Sequence, residues 1–331
     1  MEIVILIIVF ALVFDFYNGM NDAANSIATI VSTRVLTPLQ AVIWAAFFNF
    51  VAAFAFGVSV ATTIGKGLVD VNIVDNFVIF SGLIGAIILT ATATHLGLPI
   101  SVSHAIIGGY GGAALIKAGI GAIIISGYTK VLIFIFLAPV IGMLMAYIFS
   151  IITLWVVKDM PPRTVDKYFR KLQLVSAAIY SLSHGSNDAQ KTIGIITIVL
   201  FTNKLLGETF YVPFWVIILS HSVIALGTLL GGWKVIRTLG MRVTKLTPFG
   251  GFSAETAAGL TIIGATMGGI PVSTTHTITG AIIGVGSVKG FSAVRWGVAK
   301  NILWAWVLTI PLSAIFAMLT YTAIIYVVNL F

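Results

Sequence analysis

The sequence predicts an all-α polytopic membrane protein built as two inverted-topology repeats, with broken helices that meet near the bilayer midplane. Three observations predict it. Hydrophobic residues make up 59% of the 331 residues and charged residues only 8%, where a soluble domain carries about 25% charged residues. A polar stretch, Asn18-Gly19-Met20-Asn21-Asp22-Ala23-Ala24-Asn25, interrupts an apolar segment and returns as His184-Gly185-Ser186-Asn187-Asp188-Ala189-Gln190-Lys191. Lys and Arg gather in a few loops, as they do on a cytoplasmic face.

The same composition excludes several function classes. The +8 charge balance forms no long basic stripe, so it is no signal for nucleic acid. The chain has no Cys, which removes disulfides, thiolate metal sites and Cys nucleophiles. No Lys or Arg precedes the first apolar run, and no small-residue cleavage site precedes the polar stretch. That run therefore reads as a first span rather than a removable signal peptide.

Taken in order, residues 3–16 and 23–33 read as two half-helices that together cross once. Residues 39–60 form a second span. Residues 77–96 form a third helix, stopped by Pro99, which lacks an N–H donor and restricts its predecessor. A new helix opens at Ser101-Val102-Ser103-His104 and runs to about Leu115. Residues 129–157 make a long span. Lys158 to Lys171 holds five Lys/Arg and Pro161-Pro162, and it reads as a basic cytoplasmic linker between a first repeat, 1–157, and a second, 172–331. The second repeat follows the same plan: 172–186 and 192–201 around the polar stretch, then 213–232, 250–268, 273–286 and 297–328.

The repetition is visible residue by residue. Asn21-Asp22-Ala23 matches Asn187-Asp188-Ala189, and Gly97-Leu98-Pro99-Ile100-Ser101-Val102-Ser103-His104 matches Gly269-Ile270-Pro271-Val272-Ser273-Thr274-Thr275-His276. With 158–171 and 234–245 placed in the cytoplasm, that side takes 13 of the 18 Lys/Arg. Both termini then lie outside, and the two polar helices enter from opposite faces, which is an inverted repeat. Whether 77–115 and 250–286 span fully or dip in and return is open at this level.

A carboxylate at that depth costs several kcal/mol unless something pairs with it or binds there. Four helix starts converge in this reading: after Asn21, Pro99, Asn187 and Pro271. Each would present unpaired N–H groups and a positive dipole end. With the hydroxyls of Ser101, Ser103, Ser273, Thr274 and Thr275 they make a site for a small tetrahedral oxyanion; alternatively these hydroxyls only cap their own helices. Asn21, Asn187, Gln190 and Lys191 are further candidate anion ligands, and Lys191 equally suits neutralising Asp188. Asp22 and Asp188, while ionised, would repel an anion, and with Asn25 they are assigned chiefly to coupling cations. Carboxylate and amide oxygens instead suit Na⁺, unless one Asp carries a proton. Glu255 is a further candidate cation ligand or gate, or a helix-dipole partner. His104 and His276 read as packing or capping residues. The pairs Gly108/Gly112, Gly227/Gly231, Gly264/Gly268 and Gly280/Gly284 read as close-packing positions.

At these residues the chain resembles the inorganic phosphate transporter (PiT) family. Gly19 to Asn25, Gly185 to Ala189, Gly269 to His276, and Leu246-Thr247-Pro248 with Gly251-Phe252 and Glu255 carry the likeness over nearly the whole chain. The resemblance implies a Na⁺- or H⁺-driven importer of inorganic phosphate and no enzyme. It implies about 12 helical segments, a homodimer in the cell inner (plasma) membrane, and no cofactor beyond the transported sodium. Asn49 stands where many animal relatives have a Glu, and their large cytoplasmic domain is missing. The alternatives are a proton-coupled phosphate or sulfate permease, an intramembrane hydrolase using His104 and His276, and an ion channel. Trp304, Trp306 and residues 297–328 are candidate dimer surface or lipid-boundary anchors.

Overall fold

The computed structural model describes residues 1–330, the side chains of residues 240–242 excepted. Among the described residues there are twelve α-helices and no strand, only an isolated bridge between Val69 and Ile123. The first six are α1 (Glu2–Ser32), α2 (Pro38–Val51), α3 (Ser59–Lys66), α4 (Asn76–Leu96), α5 (Val102–Ala118) and α6 (Ile125–Val157). The second six repeat that order: α7 (Pro162–Thr202), α8 (Phe214–Leu230), α9 (Trp233–Arg242), α10 (Pro248–Met267), α11 (Thr274–Val288) and α12 (Trp296–Val328). By length and composition α1, α4, α6 and α12 can each cross a membrane; the bent pairs α2–α3 and α8–α9 raise the number to six if each pair is one span.

Local sequence sets the helix ends. Thr37 and Gln40 form a reciprocal capping box at the start of α2, with Pro38 in its first turn. Asp75, Ser101, Thr247 and Ser273 each accept a backbone N–H at the start of α4, α5, α10 and α11. Gly97 and Gly269 carry φ of 76° and 66° between the members of the α4–α5 and α10–α11 hairpins, a conformation that favours glycine.

The breaks lie elsewhere than the sequence predicts. α1 runs unbroken through Asn18–Asn25, and α7 runs unbroken through His184–Lys191. The sharp bends fall instead between α2 and α3, at 82°, and between α8 and α9, at 76°. The polar stretches contain no Pro, and a single Gly costs a helix only about 1 kcal/mol. Gly19 and Gly185 serve packing rather than a break. A Cβ on Gly19 would collide with the Ile224 carbonyl on α8, and one on Gly185 would lie 2.7 Å from the Asn49 carbonyl oxygen on α2. The helical run of α7 also reaches back to Pro162, so most of the expected 158–171 linker is helix and only a short turn joins the two sets of six.

The two sets interlock. α1 packs on α8 and α9 while α7 packs on α2 and α3; α5 packs on α12 while α11 packs on α6. Two apolar cores result. One takes Ile7 and Phe14 from the first half of α1 with Ile193 and Ile198 from the last part of α7. The other takes Ile27 and Ile30 from the end of α1 with Ala177 and Tyr180 from earlier in α7. The two long helices therefore traverse the cores in opposite directions, and both polar stretches fall between the cores. Of the two tryptophans named for an interface, Trp304 is exposed, whereas Trp306 is buried and stacks on His276 at 3.7 Å between ring centroids.

Candidate functional site

Between the two cores, α1 and α7 bring their Asn-Asp motifs face to face under the start of α11. Asp22, His184 and Asp188 each offer one atom to a group whose members lie within 4.8 Å of one another. His184 Nε2 is 3.4 Å from Asp188 Oδ2 and 3.9 Å from Asp22 Oδ2. The Thr275 hydroxyl donates to Asp22 Oδ1 at 3.1 Å, and the Thr274 hydroxyl lies 3.5 Å from Asp22 Oδ2 and 3.3 Å from Asp188 Oδ2. The Asn25 amide donates to both hydroxyls, at 2.9 Å to Thr275 and 3.4 Å to Thr274. All of these residues are buried.

Lys191 is bonded to Asp188 Oδ1. It is thus committed to Asp188, and among the described residues Asp22 has no Lys or Arg of its own. His184 is held from behind: its Nδ1 lies 3.1 Å from Asn49 Oδ1, and the Asn49 amide donates to Thr228 at 3.0 Å. Asn49 therefore orients the imidazole.

The outer amides repeat across the halves. Asn21 donates to Thr94 at 2.9 Å, and Asn187 donates to Thr266 at 2.9 Å. The side-chain carbonyls of Asn21, Asn25 and Asn187 are buried and accept nothing. Gln190, expected as an anion ligand, does other work. Its carbonyl accepts from the N–H groups of Val60 and Ala61 at 2.9 and 3.1 Å, and its amide donates to the Ser186 carbonyl. It closes the start of α3, which lacks a cap of its own.

Of the four helix starts expected to converge, two exist, because α1 and α7 are continuous. The starts of α5 and α11 do meet: Ser103 donates to the Val272 carbonyl at 3.0 Å, and the rings of His104 and His276 are 4.7 Å apart, edge to face. Ser101 and Ser273 each accept from the backbone N–H three residues on, at 3.2 Å. Their oxygens are caps, with the hydroxyl proton still to give. Both His residues are buried packing partners, as the sequence predicts.

Glu255 stands apart from the Asp pair. It accepts from Gln173 at 3.0 Å and from Ser176 at 2.5 Å, and Thr33 donates to the Gln173 carbonyl at 2.9 Å. This second buried oxygen cluster contains Gln173 and Ser176, which the sequence reading does not single out. It also omits His184, Thr94 and Thr266. The signal for His184 was present, since it lies four residues ahead of Asp188, one turn away on an unbroken helix. Reading a break there hid it.

Comparison with known proteins identifies the family. The family model described as the phosphate transporter family matches residues 18–163 and 158–317. A probable low-affinity inorganic phosphate transporter of Rhizobium meliloti is 54% identical over 317 residues, 96% of this chain and 95% of that one. One of the same description from Bacillus subtilis is 42% identical over 319 residues, 96% of each. A solved structure described as the sodium-dependent phosphate transporter superposes with a TM-score of 0.88 at 28% identity, over 98% of this chain and 99% of that chain. These matches set aside the hydrolase and channel alternatives. The paired Asn-Asp motifs, the two joined helix starts and family matches that take in both halves place this integral membrane protein in the phosphate transporter family, among transporters rather than enzymes.

Proposed function

We propose that this chain is a sodium-coupled symporter that imports inorganic phosphate by alternating access. The observation that carries the reading is the Asp22–His184–Asp188 group roofed by Thr274 and Thr275. Two facing carboxylates with one Lys between them, in a buried, oxygen-lined enclosure, suit a monovalent cation. Asp22 and Asp188, with the carbonyl of Asn25, offer it hard oxygen ligands. Phosphate belongs at the joined starts of α5 and α11, where Ser101 and Ser273 have hydroxyl protons to give beside free N–H groups, and where Ser103, Thr274 and Thr275, which donate within the protein here, would turn to the anion. The carbonyls of Asn21 and Asn187 suit the P–OH groups of a protonated phosphate. Gln190 and Lys191 support this site without touching the anion. Glu255, with Gln173 and Ser176, is a second sodium position.

Bound sodium offsets the repulsion between the carboxylates and the incoming anion, which makes transport of each depend on the other. The 28% identical structural neighbour is described as sodium-dependent, in line with this choice. The two sets of six helices, with α1 and α7 antiparallel, act as inverted repeats, 1–157 and 172–331, that rock about the site. The basic loops face the cytoplasm, both termini face outward, and the protein works as a homodimer in the plasma membrane.

The test is uptake of labelled phosphate into proteoliposomes under an inward Na⁺ gradient, and then under an inward H⁺ gradient with Na⁺ absent. Uptake driven by Na⁺ alone is expected. Uptake driven by H⁺ alone would keep the phosphate site and turn the carboxylates into proton carriers.

A further inference from the structure

Asp15 is a fully buried carboxylate that the central site does not use. Both its oxygens lack a hydrogen-bond partner, and so do both amide atoms of Asn18, one turn on along α1. Thr192 on α7 lies against Asp15 together with Asn18, and its hydroxyl is likewise unbonded. The surroundings are apolar, with Ala11 and Phe14 from α1 and Ile193 and Ile196 from α7 in the same core. The charged groups acting on Asp15, among the described residues, are Asp188 and Lys191 of α7, and these are paired with each other.

A carboxylate in such a place costs several kcal/mol and adds nothing to packing that Asn or Leu would not supply. Two carboxylate oxygens, one amide oxygen and one hydroxyl, all buried, within loose reach of one another and none in a hydrogen bond of ordinary geometry, make a hard-oxygen donor set. Its position along the helix gives it meaning. Asp15, Asp22 and Thr29 recur every seven residues, so they share one face of α1 within about 20° per step and stand about 10 Å apart. Asp15 faces Thr192, Asp22 faces Asp188, and Thr29 faces Glu255. The offset that relates the motifs carries Asp15 to Ser181 and Ser26 to Thr192, and Ser26 and Ser181 are also buried and unbonded. The second half thus has one hydroxyl, Ser181, where the first has the Asp15 charge, and its own carboxylate, Glu255, sits elsewhere, on α10.

We propose that Asp15, Asn18 and Thr192 form a further small-cation station, on the opposite side of the Asp22–Asp188 pair from Glu255, through which the coupling cation passes. The proposal rests on the coupled-transport reading and gives the cation three stations across the membrane. Na⁺ and H⁺ share the chemistry of a carboxylate with oxygen neighbours, so the test has an arm for each.

Asp15→Asn and Thr192→Val, both near-isosteric, are compared with wild type in proteoliposomes. Phosphate uptake is measured against external Na⁺ at fixed pH, and against external pH without Na⁺. For the cation that drives wild type, Asp15→Asn is expected to raise the half-saturating concentration about ten-fold or more. Thr192→Val shifts it less, in the same direction, and raising the cation recovers uptake in both variants. An unchanged half-saturating concentration in Asp15→Asn overturns the proposal. So does a loss of uptake in both variants that no cation concentration recovers, which marks a structural role. A wild type driven only by H⁺ rejects the sodium reading while the pH arm still judges Asp15. A wild type driven by Na⁺ with unshifted variants rejects the station alone.

Discussion

At the residue scale, the centre of the molecule is a charge balance. Lys191 cancels one of two facing carboxylates, so Lys191 and Asp22 have different tasks on the same site. Removing one partner from a buried ion pair costs about 3–5 kcal/mol because the other charge is left unpaired. Lys191→Met is therefore expected to lower the thermal unfolding temperature of the detergent-solubilised protein. Asp22→Asn, which removes the carboxylate that has no Lys or Arg of its own, is expected to leave that temperature near wild type and to raise the half-saturating Na⁺ for uptake by about ten-fold or more. Equal unfolding temperatures for wild type and Lys191→Met would remove the pairing from the account. Much of this centre is nameable from the sequence: Asp22, Asn25, Asp188, Thr274 and Thr275 are all candidates there, and they stand together in the structure. What the residue types could not convey is where a side chain spends its hydrogen bonds. Gln190 lies in the motif yet serves a helix start 130 residues away, and Glu255 finds Gln173 and Ser176 instead of the Asp pair.

At the scale of elements, the long helices hold the polar stretches without breaking, and the hairpins supply the helix starts that meet above the Asp pair. Asn, Gly and Asp inside an apolar run predict a break. Continuity wins because α8 and α2 come close enough at Gly19 and Gly185 to pack against the backbone, and the polar side chains find partners on neighbouring helices. The Gly-x-x-x-Gly pairs carry the same lesson. By spacing alone the four are equivalent. In the structure Gly280 and Gly284 press on the backbone of α6 at Pro139 and Met143, and Gly108 and Gly112 press on α12, whereas a Cβ on Gly264 meets nothing within 4 Å. Gly280→Leu is expected to destabilise the fold by about 1–3 kcal/mol through overpacking and to cut uptake with it, since it lifts α11 off α6. Gly264→Leu is expected to leave the unfolding temperature unchanged. Thermal unfolding of the two variants side by side checks the pair, and equal losses would contradict the packing described.

At the scale of the whole molecule, six helices followed by six in the same order, with α1 and α7 running oppositely through two cores, make two interlocked halves around one polar layer. This plan was legible because duplication leaves matching motifs at long offsets. The interlocking of α5 with α12 and of α11 with α6 was not, since no local pattern records which half a helix packs on. The chain has no Cys, so single reporters are simple to place. In intact cells Lys66→Cys is expected to react with a membrane-impermeant maleimide, and Arg237→Cys only after permeabilisation. The reverse pattern would invert the proposed orientation. The central claim is that phosphate and sodium cross together on one carrier. Its most direct test is to impose an inward phosphate gradient on proteoliposomes with equal Na⁺ on both sides and follow labelled sodium. The account predicts that wild type accumulates sodium above the external level and that Asp22→Asn does not; phosphate entering wild-type vesicles with no movement of sodium would contradict it.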